Sequence, residues 1–205
     1  MGKLLVSVSG IRGIVGDTLT PEIVLGYGKA YGSYLKGGKV IIGRDTRYHG
    51  PMIFSAMAAG LMEAGCNVVD IGVATTPTVE FAVRESASAG GIAITASHNP
   101  IEYNALKLIG PGGTFLTESQ SKKFLKFFNN ENKYKSNSKS KSPKFGNYSQ
   151  QDNWDLKHIE AILALDIIKP ASLKRKKFRV VADCVNATVS SVAAEFFNSL
   201  GCTLS

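Results

Sequence analysis

Through the first 130 residues, short apolar runs alternate with stretches whose apolar positions recur at helical spacing. Leu4–Val8, Lys39–Gly43, Asn67–Ile71, Gly91–Thr95 and Ala105–Ile109 predict strands. Pro21–Leu35, Pro51–Ala64, Pro77–Ser86 and Glu118–Phe128 predict helices. In the first of these, Ile23, Tyr27, Ala30, Tyr31 and Tyr34 share one face, which the spacing marks for burial. Thr20 before Pro21 and Thr76 before Pro77 place a capping hydroxyl ahead of proline at the first helical position. Thr117-Glu118-Ser119-Gln120 has the form of a capping box. Strands alternating with helices predict an α/β layered domain with a largely parallel sheet.

The pattern lapses over 130–150, where Asn, Lys and Ser dominate and little is available to bury, so a solvated loop is expected. Helical spacing returns at Asp152–Ile168, with Leu156, Ile159, Ile162 and Leu163 on one side. Pro170 and the basic stretch Lys174–Lys177 then lead to a strand at Phe178–Ala182 and a helix at Val189–Leu200. One strand and one helix cannot cover both faces of a parallel sheet, so this unit reads as the opening of a second α/β domain. The expected division is a first domain over 1–150, a connecting helix and linker over 151–172, and the start of a second domain over 173–205. On this reading the chain is the front part of a longer protein.

The net charge of +8 raises the question of nucleic acid. Five of the 24 Lys and Arg fall in 132–144 and six in 169–179, which leaves 13 against 16 Asp and Glu over the rest. The basicity is therefore local, and no interleaved aromatics accompany it, so nucleic-acid binding is not expected. The three cysteines, Cys66, Cys184 and Cys202, are dispersed and form no C-x-x-C pair, which argues against a disulfide framework or a zinc site. No apolar run approaches the roughly 18 residues of a membrane span. The N-terminus has too short an apolar core for a signal peptide, and a cytoplasmic protein is the default.

One segment carries chemistry. Gly90-Gly91 precedes the apolar run Ile92–Thr95, which passes directly into Ala96-Ser97-His98-Asn99-Pro100. Ser97 is thereby expected just beyond a strand's carboxyl end, where open α/β sheets bind ligands. Asn99 before Pro100 is held out of the helical region, which favours a turn that keeps the serine exposed. A serine hydroxyl needs a base or a cation to act as a nucleophile. His98 is adjacent and Lys107 lies near the end of the next strand; either suits the role. Judged by residue types alone, a Ser-His pair beside a turn is more often structural than catalytic.

Thr95-Ala96-Ser97-His98-Asn99-Pro100, followed by Tyr103-Asn104-Ala105-Leu106-Lys107, closely resembles the phosphoserine loop of the α-D-phosphohexomutase superfamily. Ser9-Gly10-Ile11-Arg12-Gly13 and Gly43-Arg44-Asp45-Thr46-Arg47 match two further motifs in the expected order, and Asp183–Asn186 resembles the start of the second domain. Within the superfamily, Ser9–Gly13 and Ala105–Gly113 look most like phosphoglucosamine mutases, with phosphoglucomutase and phosphomannomutase as alternatives.

The resemblance implies a mixed, largely parallel sheet sandwiched by helices. It also implies interconversion of hexose 6-phosphate and 1-phosphate through a phosphoserine and a sugar bisphosphate. Ser97 would carry the phosphoryl group, and its phosphate would be one ligand of a Mg²⁺ ion. Arg12 and Lys107 would stand beside the phosphoserine, Lys107 as the first candidate for acid–base work and His98 as the second. Arg12, Arg44, Asn99 and Lys107 would bind phosphate. Read from the residues themselves, Asp45 and Arg47 are expected to brace the loop by pairing locally, Tyr103 and Asn104 to shape the serine loop, and His49 and His158 to be structural.

The family's Asp-Gly-Asp-x-Asp metal loop, its Gly-Glu-x-Ser-Gly sugar loop and its C-terminal phosphate loop do not occur in these 205 residues. Asp183–Asn186 continues as Ala187-Thr188-Val189 where glycines are expected. The 205-residue chain is therefore expected not to turn over sugar phosphates by itself. The competing reading is a non-catalytic module that binds a sugar phosphate or a partner. The sequence sets neither the sugar nor the oligomeric state.

Overall fold

The structure is a computed structural model that describes residues 3–7, 10–129 and 144–205. Ser9 and the Lys-rich stretch 130–143 lie outside the described residues. The elements run β1 (Leu5–Ser7), β2 (Gly10–Ile14), α1 (Pro21–Leu35), β3 (Gly38–Arg44), α2 (Gly50–Glu63), β4 (Cys66–Val73), α3 (Thr76–Glu85) and β5 (Gly90–Ile94). They continue with β6 (Tyr103–Ile109), α4 (Glu118–Phe128), β7 (Tyr148–Gln150), α5 (Trp154–Leu163), α6 (Pro170–Lys176), β8 (Arg179–Val180), α7 (Ala193–Ser199) and β9 (Thr203–Leu204).

Seven strands make one sheet in the order β1-β2-β6-β5-β3-β4-β7. The β5-β3, β3-β4 and β4-β7 pairings are parallel, while β1-β2, β2-β6 and β6-β5 are antiparallel. The sheet is thus mixed, and only β1 and β6 run against the common direction.

Strand alternation divides the core in two. Val40, Ile42, Val68, Ile92, Ile94, Leu106 and Leu108 face α1, α2 and α4, whereas Ile41, Val69, Ala93 and Ile109 face α3 and α5. On α1, Tyr27, Ala30 and Tyr31 are buried as expected, and Ile23 and Tyr34 pack at the margin of the same cluster. The backbones of α1 and α2 nearly touch: a Cβ on Gly60 would stand 2.8 Å from Lys29 N, and one on Gly28 would stand 2.7 Å from Met57 O.

Thr20 caps α1 by accepting from Ile23 N, and the capping box at Thr117 and Gln120 forms at α4. At α3 the expectation shifts by one residue. Thr75, not Thr76, is the cap and accepts from Thr78 N, so Pro77 occupies the second helical position, where its missing N–H is equally harmless.

Three strands escaped the pattern. β2 is too glycine-rich to read as apolar, and β7 and β9 are too short. β7 lies inside the stretch expected to be a solvated loop, yet it extends the sheet beside β4, with Val68 opposite Tyr148.

The helix expected to connect two domains, α5, docks on α3. Trp154 and Ile159 are buried there, while Leu156, expected on the apolar side, is exposed. His158 stacks on Phe81 at 4.9 Å, and its Nδ1 lies 3.0 Å from Thr78 Oγ1. Burial lowers the pKa of His158 below its ordinary value of 6.5, and nearby Arg84 lowers it further. The unfolded chain therefore binds this proton more readily than the folded one. The docking of α5 is fully stable above pH 6.5 and weakens as pH falls from there through the folded pKa. Melting temperatures measured from pH 8 to pH 5 (about three units, spanning the ordinary histidine value) will fall with pH, and His158→Phe will flatten that slope.

Beyond α6 stands a second, two-stranded parallel sheet, β8-β9, joined through a 3-10 turn at Thr188–Ser191 and α7. The helix expected over Val189–Leu200 is broken into these two pieces. Of residues 169–205 only Ala193 is buried. Cys66 lies buried at the head of β4, whereas Cys184 and Cys202 are half-buried within this smaller unit.

Candidate active site

All five residues of β5 are buried, and the chain leaves the carboxyl end of that strand into the loop at 95–102 before β6 returns antiparallel. Thr95 N donates to Ala105 O at 3.0 Å and closes the base of the loop. Asn99 ties the turn through two donors on one acceptor, its N and its Nδ2 both bonding Ala96 O, at 3.1 and 2.6 Å. Between them Ser97 is exposed, with φ of 55°, a left-handed conformation that costs a residue with a Cβ about 1–2 kcal/mol. Its N donates to Thr95 Oγ1 at 3.2 Å, and its Oγ lies 3.4 Å from His98 Nδ1.

The same alternation that sorts the core selects the cations around this serine. Ile11 belongs to the α1 side, so its neighbour Arg12 projects from the opposite face, where it is registered opposite Ala105. Lys107 is registered opposite Ala93, on that same α3 side. Arg12, Lys107, Ser97, His98, Thr95 and Asn99 thus line one cleft of about 100 Å³, together with residues of β1 and β2. Arg12 Nη1 donates to Asn99 Oδ1 at 3.4 Å. Lys107 Nζ lies 6.0 Å from the centre of the Phe115 ring. The Lys107 charge also reaches Glu80 on α3: burial pushes that carboxyl up, and Lys107 holds it back. Among the described residues no acidic side chain lines the cleft, so its field favours an anion.

Arg44 does not join them. It is registered opposite Ile94 and faces the α2 side, where its Nη1 lies 3.1 Å from Asp70 Oδ1 and its guanidinium lies 5.4 Å from the Phe54 ring centre. The sequence motif placed Arg44 near phosphate, but strand parity turns it to the other face of the sheet.

The remaining motif residues form the wall behind the serine loop. Arg47 Nη1 donates to Pro100 O at 2.7 Å and Tyr103 O at 3.1 Å; Nη2 donates to Ser97 O at 3.1 Å and Asn99 O at 2.7 Å. Asp45 Oδ2 accepts from Arg47 Nε at 3.2 Å, and Asp45 N bonds Ile94 O. His49, buried, has Nε2 3.0 Å from Ile101 O, while Asn104 Nδ2 donates to its Nδ1 at 3.1 Å. With Nδ1 accepting from Asn104, Nε2 is the nitrogen left to donate to Ile101 O.

Among the described residues no group of three His, Cys, Asp or Glu gathers to hold a metal ion. Ser97 and a future phosphate on it would supply oxygen to Mg²⁺, but with no carboxylate in the cleft this donor set does not hold the ion on its own. No helix among the described residues is long and apolar enough to cross a membrane.

The site is thus an exposed serine that shares one cleft with two cations, on a three-layer α/β/α domain. The family model described as "Phosphoglucomutase/phosphomannomutase, alpha/beta/alpha domain I" matches residues 3–135, and the chain belongs to that family. It is 37% identical over 98% of its length to a protein of Methanopyrus kandleri named "Probable phosphoglucosamine mutase", and 35% identical over 98% to a "Phosphoglucomutase/phosphomannomutase" of Thermococcus kodakarensis. It spans 42% and 44% of those two curated relatives, less than half of each.

Among solved structures, a phosphoglucomutase/phosphomannomutase family protein of Burkholderia thailandensis matches with a TM-score of 0.76 at 28% identity, over 98% of this chain and 44% of that one. A putative phosphomannomutase of Thermus thermophilus matches with a TM-score of 0.82 over 98% of this chain and 45% of that one. Its 24% identity bears on the fold alone.

Proposed function

We propose that this chain carries the phosphoserine part of a phosphohexomutase, most like a phosphoglucosamine mutase, that interconverts hexose 6-phosphate and 1-phosphate. The observation that carries the reading is the exposed, left-handed Ser97 standing in one cleft with Arg12 and Lys107, which no acidic side chain lines among the described residues. In the donating step a sugar hydroxyl attacks the phosphoserine phosphorus; a sugar O–P bond forms and the Oγ–P bond breaks. The proton leaves the sugar hydroxyl and one is delivered to Ser97 Oγ, with Lys107, then His98, as the groups placed to move it. The product is a hexose bisphosphate, which turns over and returns its other phosphoryl group to the same serine. Arg12 and Lys107 oppose the charge on the transferring oxygens.

A cleft of about 100 Å³ accepts a phosphoryl group but is well below the roughly 300 Å³ at which small-molecule pockets begin. Turnover is therefore assigned to this cleft together with parts of a longer protein, and residues 173–205 to the start of a second domain. The separate β8-β9 sheet supports that division.

The test is incubation of the chain with a hexose 1,6-bisphosphate, followed by intact-mass spectrometry and site mapping. One phosphoryl group on Ser97, absent from Ser97→Ala, is the expected result. No uptake by the wild type, or equal uptake by Ser97→Ala, overturns the reading. Saturable bisphosphate binding without uptake would instead mark a binding module.

A further inference from the structure

The side chain with the largest number of bonds to the serine loop is not one of those lining the cleft. Arg47 has five N–H donors, and every one is engaged: four on the carbonyls of Ser97, Asn99, Pro100 and Tyr103, and the fifth on Asp45. Its side chain is 10% exposed, and its charge is matched by Asp45 at 3.2 Å. It therefore has neither a free donor nor an unbalanced charge to offer a ligand. His49 Nε2 takes the carbonyl of Ile101, so the acceptors of the loop from 97 to 103 are held from one side by the residues just after β3.

This arrangement has a specific effect on the nucleophile. Ser97 sits at a φ of 55°, a conformation a serine leaves unless its surroundings fix it, and Arg47 Nη2 holds the Ser97 carbonyl itself. A change of φ at Ser97 would carry Cβ, Oγ and the carbonyl round together, so holding the carbonyl holds Oγ in the cleft it shares with Arg12 and Lys107. The planar fork is what makes the hold possible, because it spreads its donors over acceptors that are separated along the loop. A lysine ammonium places its three donors on one atom and cannot span Ser97 O and Tyr103 O together.

We propose that Arg47 is the positioning residue of this site: it fixes Ser97 in the left-handed, phosphoryl-accepting conformation without touching the ligand. The proposal rests on the phosphoryl transfer proposed above, and its test is built to separate the two.

Wild type, Arg47→Lys and Arg47→Met are compared in two measurements. The first is the rate of phosphoryl transfer from a hexose 1,6-bisphosphate to Ser97, over a range of bisphosphate concentrations. The second is amide hydrogen exchange across 94–105. Arg47→Lys, which keeps the charge opposite Asp45 and so the more conservative fold, is expected to slow saturated transfer by about 10²-fold. The half-saturating concentration should stay within about 3-fold, because the residue does not meet the ligand. Exchange should quicken over 97–103 and stay unchanged in β3 and β4.

Transfer by Arg47→Lys at the wild-type rate, or slowing that merely follows the unfolded fraction, overturns the proposal. If the wild type takes up no phosphoryl group, the functional reading has failed and exchange decides alone. Loss of protection confined to 97–103 then upholds the positioning role, and unchanged protection removes it.

Discussion

Lys107→Met is expected to slow phosphoryl transfer to Ser97 by about 10²–10³-fold, the scale of losing one preorganised charge-stabilising group. Among the described residues, Lys107 and Arg12 are the Lys and Arg side chains of a cleft that no acidic residue lines. Charge developing on the transferring oxygens therefore has few other groups to meet. Methionine keeps the unbranched stem that lies toward Phe115, so the side chain can stay in place while the charge is removed. Glu80 should respond as well: with Lys107 gone, the force that holds its carboxyl down is lost and burial raises it further. Lys107→Arg separates two roles. Arginine retains the charge but does not release a proton near neutral pH. Recovery of most of the rate by Lys107→Arg means that Lys107 acts as a charge; a rate as low as that of Lys107→Met means that it moves the proton. Rates from quenched intact-mass spectra, alongside melting curves, make the comparison. An undiminished rate in Lys107→Met would remove Lys107 from the mechanism.

The second large effect falls on stability. Asp70→Ala is expected to lower unfolding free energy by about 3–5 kcal/mol, because it leaves a largely buried arginine without its carboxylate. Asp70 Oδ1 accepts from Arg44 Nη1 at 3.1 Å and Gly72 N at 2.7 Å, and Oδ2 accepts from Tyr148 OH at 3.3 Å. One carboxylate therefore links β3, the carboxyl-terminal end of its own strand β4 and the edge strand β7. Removing both charges, in Arg44→Met with Asp70→Ala, should cost less than Asp70→Ala alone, since no cation is then left unpaired. Urea midpoints measure both. The folded fraction of each variant should accept phosphoryl groups at the wild-type rate, because strand parity puts this pair on the face opposite Arg12 and Lys107, which line the cleft with Ser97. Slower transfer in Arg44→Met would place that arginine back at the phosphate.

Where local pattern and tertiary packing agreed, the sequence was enough. α1 and α4 occupy the residues that apolar spacing and capping groups marked, and Ser97 falls in the turn after a buried strand because Asn99-Pro100 forces one there. The serine's neighbours were harder to read. Arg12 and Arg44 look alike in their motifs, and what separates them is the parity of β2 and β3 relative to the core. That parity becomes visible only once β2 is known to be a strand. Glycines at positions 10 and 13 hid it, since a strand with so few apolar side chains gives almost no alternation. The edge strand β7 was hidden for a related reason: all three of its residues are exposed, and it is held by backbone pairing and by Tyr148, whose hydroxyl reaches Asp70 and whose ring meets Phe54 edge-on. Arg47 was expected to brace the loop by pairing locally with Asp45, but the breadth of its hold depends on carbonyls 50 or more positions away, which no local pattern encodes.

The placement of the three cysteines gives the molecule its own reporters of local opening. Cys66 is buried at the head of β4, where burial pushes its thiol up to about 11, so it presents almost no thiolate near neutral pH while the large sheet is closed. Cys184 and Cys202 are half-buried in the smaller unit, on the connection between the strands of the two-stranded sheet. A thiol reagent therefore counts the two units separately, one label site for the seven-stranded sheet and two for the two-stranded one. The order in which those sites gain mass tells which unit opens first, without any added probe.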